Sequence, residues 1–119
     1  MDWALWKSLK TMSIAKTPQP PYYAVIFTAN SSANQTGYEA MAEKIYDLVQ
    51  NQPGFLGVES ADGDDEITVS YWESLDAIKA WKANAAHGQA QKMGKDQWYD
   101  SYRVRICKVE REYGSENDI

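Results

Sequence analysis

The side chain best suited to acid–base or ligand chemistry in this sequence is its single histidine, His87. Imidazole has an unperturbed pKa of about 6.5, so it can exchange a proton near neutral pH. Trp81 precedes it by six residues, and Asn30 supplies an amide farther upstream. Groups of these types can hold an organic anion in an apolar pocket, and one can act as a base. We predict Trp81, His87 and Asn30 as catalytic residues; the alternative for His87 is a partly exposed residue that orients a helix junction.

Most of the aromatic residues carry a polar group, since the chain has 5 Trp and 8 Tyr but only 2 Phe. Such rings suit the wall of a cavity or a protein interface, because they combine apolar area with a hydrogen-bond donor. We predict that four of them bind substrate: Trp72, Trp98, Tyr99 and Tyr102. The alternative for each is packing in the core or in a dimer interface.

Composition disfavours several other classes of protein. The net charge of −5 has the wrong sign for attraction to nucleic acid, and no apolar run approaches the ~18 residues of a membrane span. Phosphate-binding and nucleophile-elbow glycine motifs are absent, and one His with one Cys makes no convincing transition-metal site. Cys107 is the only cysteine, which excludes an internal disulfide and fits a reducing compartment. We expect a cytoplasmic protein that binds neither nucleic acid nor membranes.

Two hydrophobic periods alternate along the chain and predict its secondary structure. Runs rich in β-branched and aromatic residues predict strands, and apolar residues at helical spacing predict helices. The first half of the domain is predicted as a strand over 22–29, a helix over 38–50, and strands over 55–61 and 66–72 joined by a turn. A helix capped by Ser74 then runs through 86. A short helical or irregular piece over 87–96 leads to a last strand over 97–112.

This βαββαβ order predicts an α+β fold of the ferredoxin-like type, with both helices on one face of an antiparallel sheet. The other face would meet water, yet the first and last strands carry apolar residues at both parities. We therefore expect a second copy of the chain to pack face to face against it. The proline-rich segment 17–21 separates an N-terminal extension, 1–20, from the domain, 21–113, and a loose tail, 114–119, follows.

Five short motifs occur in a particular order along the domain. They are PGFLGVE at 53–59, SYWESL at 70–75, AWK at 80–82 followed by His87, WY at 98–99, and YRVRICKVEREY at 102–113. Together they resemble the antibiotic biosynthesis monooxygenase (ABM) family, over residues 21–113. The resemblance implies a homodimeric α+β barrel with a substrate cleft between the helices and the sheet of each chain.

The family resemblance leaves three functions open. The first is a monooxygenase that oxidises a small aromatic or enolisable molecule with dioxygen and without a flavin or metal. The second is a heme-binding or heme-degrading protein, because Asn30, Trp81 and a following histidine are similar to the pattern of the heme-degrading members. In that pattern the histidine stands about one helical turn later, where this chain has Gln91. The third is a non-catalytic dimeric module that binds a small molecule.

Overall fold

The computed structural model describes residues 14–115 of the chain. Most of the predicted N-terminal extension and part of the predicted tail lie outside the described residues. The elements are β1 (Tyr22–Ser31), α1 (Tyr38–Val49), β2 (Phe55–Asp62), β3 (Asp65–Trp72), α2 (Leu75–Lys82), α3 (Ala85–Met93), a π-helical turn (Gly94–Trp98) and β4 (Tyr99–Val109).

The four strands form one antiparallel sheet in the order β2-β3-β1-β4. Val25 in β1 lies opposite Ser70 of β3 on one side and Ile106 of β4 on the other. The ferredoxin-like α+β fold predicted from the order of the elements is confirmed. β4 is an edge strand, and its residues 101–108 are exposed.

The break between α2 and α3 corrects the prediction of one continuous helix. Ser74 caps α2 as predicted, its Oγ accepting a hydrogen bond from Ala77 N at 3.0 Å. The helix ends at Lys82, however, and Asn84 precedes the next one, with its Oδ1 accepting from His87 N at 3.3 Å. Asn favours helix starts because its side-chain oxygen accepts from an N–H that has no acceptor within the helix. The predicted helix is therefore wrong beyond Lys82.

Alternation of side chains gives the sheet two faces with different surroundings. One face, here called the cleft face, carries Val25, Phe27 and Val104 beneath the helices. The opposite face, called the open face, carries the residues of the other parity, and the chain's own residues 15–17 lie against part of it. There Ala15 N donates to Glu59 Oε2 at 2.8 Å. An intramolecular strap thus occupies part of the surface that was predicted to meet a second copy.

The core lies at one end of the cleft face, where β3 meets α2. Its buried members are Val49, Trp72, Ile78 and Trp81. Gly54 allows α2 to pack closely against the chain before β2. It adopts φ +83°, and a Cβ added there would lie 2.5 Å from Ala77 Cβ. Only glycine fits such a position without strain.

No helix in residues 14–115 is both long enough and apolar enough to cross a membrane.

Candidate active site

A cleft of about 940 Å³ separates the helices from the cleft face of the sheet. Its floor is formed by residues of all four strands, β1 to β4, and its roof by α1, α2 and α3. Most of its wall is apolar or aromatic, as is usual for sites that bind organic molecules. Polar groups lie near each end, and they determine what the cleft can do.

Three aromatic rings stack at the end of the cleft nearest the core. Trp72 and Trp81 have ring centroids 6.3 Å apart, and the His87 ring lies on Trp81 at 4.5 Å with only 13° between the planes. Trp81 is therefore held between two flat neighbours. This stacking fixes the plane of the imidazole ring against the wall of the cleft.

A hydrogen bond fixes the protonation pattern of His87. Its Nδ1 lies 3.2 Å from the carbonyl oxygen of Trp81. A carbonyl oxygen only accepts hydrogen bonds, so this contact requires the proton on Nδ1. In the neutral ring the lone pair then lies on Nε2. That nitrogen can accept a proton or coordinate a metal ion.

Burial keeps the imidazole neutral. It lowers the pKa of His87 below the ordinary value of 6.5, because a half-buried charge loses solvation. The hydrogen bond to the Trp81 carbonyl acts in the opposite direction, and nearby Lys82 adds to the lowering. The net effect is an imidazole that is uncharged at neutral pH. A general base needs this state.

A second polar group, Glu66, was not predicted from the sequence. Its Oε1 accepts hydrogen bonds from the hydroxyls of Tyr38 at 2.6 Å and Tyr99 at 3.2 Å, and its Oε2 accepts from Thr68 Oγ1 at 2.9 Å. All four residues line the cleft. The signal in the sequence is parity, since Glu66 and Thr68 share a strand face with the buried Trp72.

The loop before α1 is tied to the π-helical turn, which holds this end of the cleft together. Ser32 N and Gln35 Nε2 both donate to the Trp98 carbonyl at 2.8 Å. In return, Gln97 Nε2 and Trp98 Nε1 donate to the Thr36 carbonyl at 3.0 and 2.9 Å. The reciprocal bonds position Tyr38 and Tyr99, which follow these two segments directly.

Most of the residues singled out in the sequence meet in the cleft. Its wall includes Trp72, Trp81, His87, Trp98, Tyr99 and Tyr102. Asn30 is placed elsewhere: it is exposed, and its Oδ1 accepts a hydrogen bond from Ser101 Oγ at 2.6 Å. The structure does not bring Asn30 together with His87, so its catalytic role stays a prediction.

Comparisons with known proteins agree with this architecture. The family model described as antibiotic biosynthesis monooxygenase matches residues 21–93. The chain belongs to this family. One relative in sequence is an uncharacterized protein of Bacillus subtilis (strain 168), YqjZ, which is 53% identical over 102 residues, or 83% of this chain and 89% of that protein.

Solved structures share the ABM fold at low sequence identity. SnoaB, a cofactor-independent oxygenase from Streptomyces nogalater, has a TM-score of 0.67 and 11% identity, covering 81% of this chain and 100% of that chain. Rv0793 from Mycobacterium tuberculosis has a TM-score of 0.66 and 7% identity, covering 80% and 100%. At such identities the likeness shows the fold alone.

His87 makes the stability of the protein depend on pH in a defined direction. Because its pKa is lower in the folded state, the unfolded chain binds a proton there more readily. The contribution of neutral His87 to the free energy of unfolding is therefore complete above pH 6.5 and declines as the pH falls towards the folded-state pKa. We expect urea unfolding to show a larger loss of stability between pH of about 7.5 and about 5.5 for the wild type than for His87→Gln. Equal losses would contradict the burial of a neutral imidazole.

Proposed function

We propose that this ABM-family protein is a monooxygenase that oxidises a small aromatic or enolisable molecule with dioxygen, without a flavin or metal. The observation that carries the proposal is the neutral His87 imidazole on the wall of an aromatic cleft, with its lone pair on Nε2. The description of SnoaB as a cofactor-independent oxygenase supports it. A cytoplasmic location remains part of the same proposal.

The chemistry needs a base more than it needs a redox group. His87 Nε2 removes a proton from an activated CH₂ group or its enol, which leaves an electron-rich anion that can reduce dioxygen itself. Combination of carbon with oxygen gives a peroxide anion, which takes a proton back from His87. Removal of the second C–H proton then breaks the O–O bond. The carbon becomes a carbonyl, and the other oxygen atom leaves as water, so the substrate supplies all the electrons.

The cleft wall contributes to this reaction in two further ways. The Trp72, Trp81 and His87 stack presents flat apolar surface against which an aromatic substrate can pack. Trp98, Tyr99 and Tyr102 offer rings at the opposite end. A low-polarity wall also strengthens the hydrogen bonds that hold an anion.

A heme-binding protein is the second candidate. The observation that favours it is the same Nε2 lone pair, since a neutral imidazole is a common axial ligand of heme iron. Lys82, Lys92 and Lys95 line the cleft and offer positive charge for propionate groups. If heme binds there, His87 would be the ligand and the iron would supply the oxygen chemistry.

Oxygen uptake with anthrone, an enolisable tricyclic ketone, tests the first candidate. With a chelator present and no flavin added, we expect uptake above the spontaneous rate that saturates with anthrone, reduced at least about tenfold in His87→Ala because a general base contributes that much or more. Gln89→Ala is the matched control, since Gln89 is exposed on the same helix outside the cleft wall.

A hemin titration in parallel separates the remaining outcomes. Saturable binding with a Soret band that His87→Ala removes would place the heme candidate first. Catalysed oxygen uptake that His87→Ala leaves unchanged would contradict the role of His87 as the base. If the protein shows neither oxygen uptake nor hemin binding, a non-catalytic small-molecule-binding module is the function that remains.

We also propose that the protein is a homodimer. Tyr102, Val104 and Ile106 on the edge strand β4 are 47%, 49% and 53% exposed, and Ile67 on the open face is 49% exposed. Apolar side chains in a row on an unpaired edge strand favour association. Tyr102, Val104 and Ile106 are on the cleft face of this edge strand, so a second copy would have to pack on the open face and also reach around the edge of β4 to remove all four side chains from water.

Light scattering coupled to size exclusion tests the dimer. We expect the wild type to have about twice the chain mass of 13.5 kDa, and Ile106→Asp to shift it towards the monomer, because a charge would be buried in the interface. Leu75→Asp is the matched control, since Leu75 is 54% exposed at the start of α2, where a negative charge is tolerated. A monomeric wild type would contradict the proposal.

A further inference from the structure

The carboxylate of Glu66 is an anion in the wall of the cleft whose partners among the described residues are hydroxyl groups. It accepts from Tyr38, Tyr99 and Thr68, at 2.6, 3.2 and 2.9 Å. A carboxylate has about four lone-pair positions, so it can accept a further hydrogen bond beside these three. Neutral hydroxyls orient the carboxylate but do not cancel its charge.

The two phenols stay protonated under all ordinary conditions. Burial is the main cause that raises the pKa of both Tyr38 and Tyr99, and the charge of Glu66 raises them further. Both therefore act as hydrogen-bond donors to the carboxylate. The carboxylate of Glu66 is thus a negative charge held in a fixed position, and the π-helical turn adds one charge of each sign to the cleft wall, Asp96 and Lys95.

Several aromatic rings line the same cleft as this carboxylate. Tyr99 contacts Phe27 at 5.1 Å and Tyr102 at 6.4 Å between ring centroids, and Tyr38 contacts Trp98 at 5.5 Å. The faces of such rings are electron-rich and attract organic cations. A carboxylate and ring faces in one pocket therefore favour the same kind of ligand group.

The site is built before any ligand arrives. Tyr38 and Tyr99 follow the two segments that are tied together by the hydrogen bonds of Ser32, Gln35, Gln97 and Trp98. Groups held in this way lose little conformational freedom on binding, which favours affinity.

Glu66 lies at the opposite end of β3 from Trp72. It is six residues before Trp72 on β3, which corresponds to roughly 20 Å along an extended strand. Trp72 belongs to the stack that contains His87. The two polar ends can therefore contact different parts of one elongated molecule.

We propose that the Glu66 end of the cleft is a subsite for a protonated amine, so that the substrate carries an alkylammonium group remote from the carbon that is oxidised. The carboxylate accepts a hydrogen bond from the ammonium, and the aromatic rings contact its carbon substituents. This inference rests on the proposed function only in treating the bound molecule as a substrate. Binding of the amine itself does not depend on turnover.

Calorimetric titration with phenethylamine and with its neutral isostere 2-phenylethanol tests the subsite. At neutral pH the first is a cation and the second is not. We expect the wild type to bind the amine about tenfold more tightly than the alcohol or better, since a hydrogen bond to a charged group is stronger than a neutral one. Glu66→Gln keeps the shape and an acceptor, and it should bring the ratio close to one.

Glu59→Gln is the matched control. Glu59 also accepts a hydrogen bond from a tyrosine, Tyr71, at 2.6 Å, but it lies on the open face and is not part of the cleft wall. This variant should keep the wild-type ratio. Wild-type protein that binds the amine no more tightly than the alcohol, or not at all, overturns the proposal, as does a Glu66→Gln variant with an unchanged ratio.

Two further measurements keep the test decisive. If Glu66→Gln does not fold, raising the salt concentration on the wild type should weaken binding of the amine and not of the alcohol, because salt screens the charge pair; equal effects overturn the subsite. His87→Ala should strongly reduce oxygen uptake and keep the amine-to-alcohol ratio. The experiments therefore distinguish a failure of the oxygenase proposal from a failure of the amine-subsite proposal.

Discussion

The contact between the His87 ring and the carbonyl end of α2 is the interaction on which the chemistry of this cleft depends. Trp81 makes two contacts with this ring. Its indole stacks on the imidazole at 4.5 Å, and its carbonyl oxygen lies 3.2 Å from Nδ1. The C-terminal end of a helix favours a charged imidazole, but desolvation is the largest influence on the pKa of His87 and lowers it. Burial therefore prevails over the helix end, and the ring remains a neutral base with a fixed tautomer.

The local backbone makes this contact possible. Because α2 stops at Lys82 and Asn84 begins a new helix, His87 returns over the last turn of α2 instead of continuing along its axis. The carbonyl of Trp81 is one of the terminal acceptors of α2, and it accepts from Asn84 N at 3.0 Å as well as from the His87 ring. A continuous helix would place residues 81 and 87 on different sides of the axis, because six residues correspond to about 600° of rotation at 3.6 residues per turn.

The sequence predicts the fold better than it predicts the polar groups of the cleft. Strand alternation, the Ser74 cap and the order of elements were sufficient for the ferredoxin-like sheet, and the aromatic residues selected by type do line the cleft. Asn30 and Glu66 show where such reasoning ends. Both lie near strand ends, and parity alone separates them, since Glu66 is in phase with the buried Trp72 and Asn30 is out of phase with the cleft-lining Phe27. The partners of Glu66 depend on the packing of Tyr38 and Tyr99, which local patterns do not encode.

The most direct test of the account is the tautomer of His87, measured from long-range proton–nitrogen correlations in the NMR spectrum of untagged protein near pH 7. The chain has one histidine, so its imidazole signals need no assignment by mutation. The structure predicts a neutral ring with the proton on Nδ1 and the lone pair on Nε2. A proton on Nε2, or a charged imidazolium at that pH, would contradict the role of His87 as the base of the cleft.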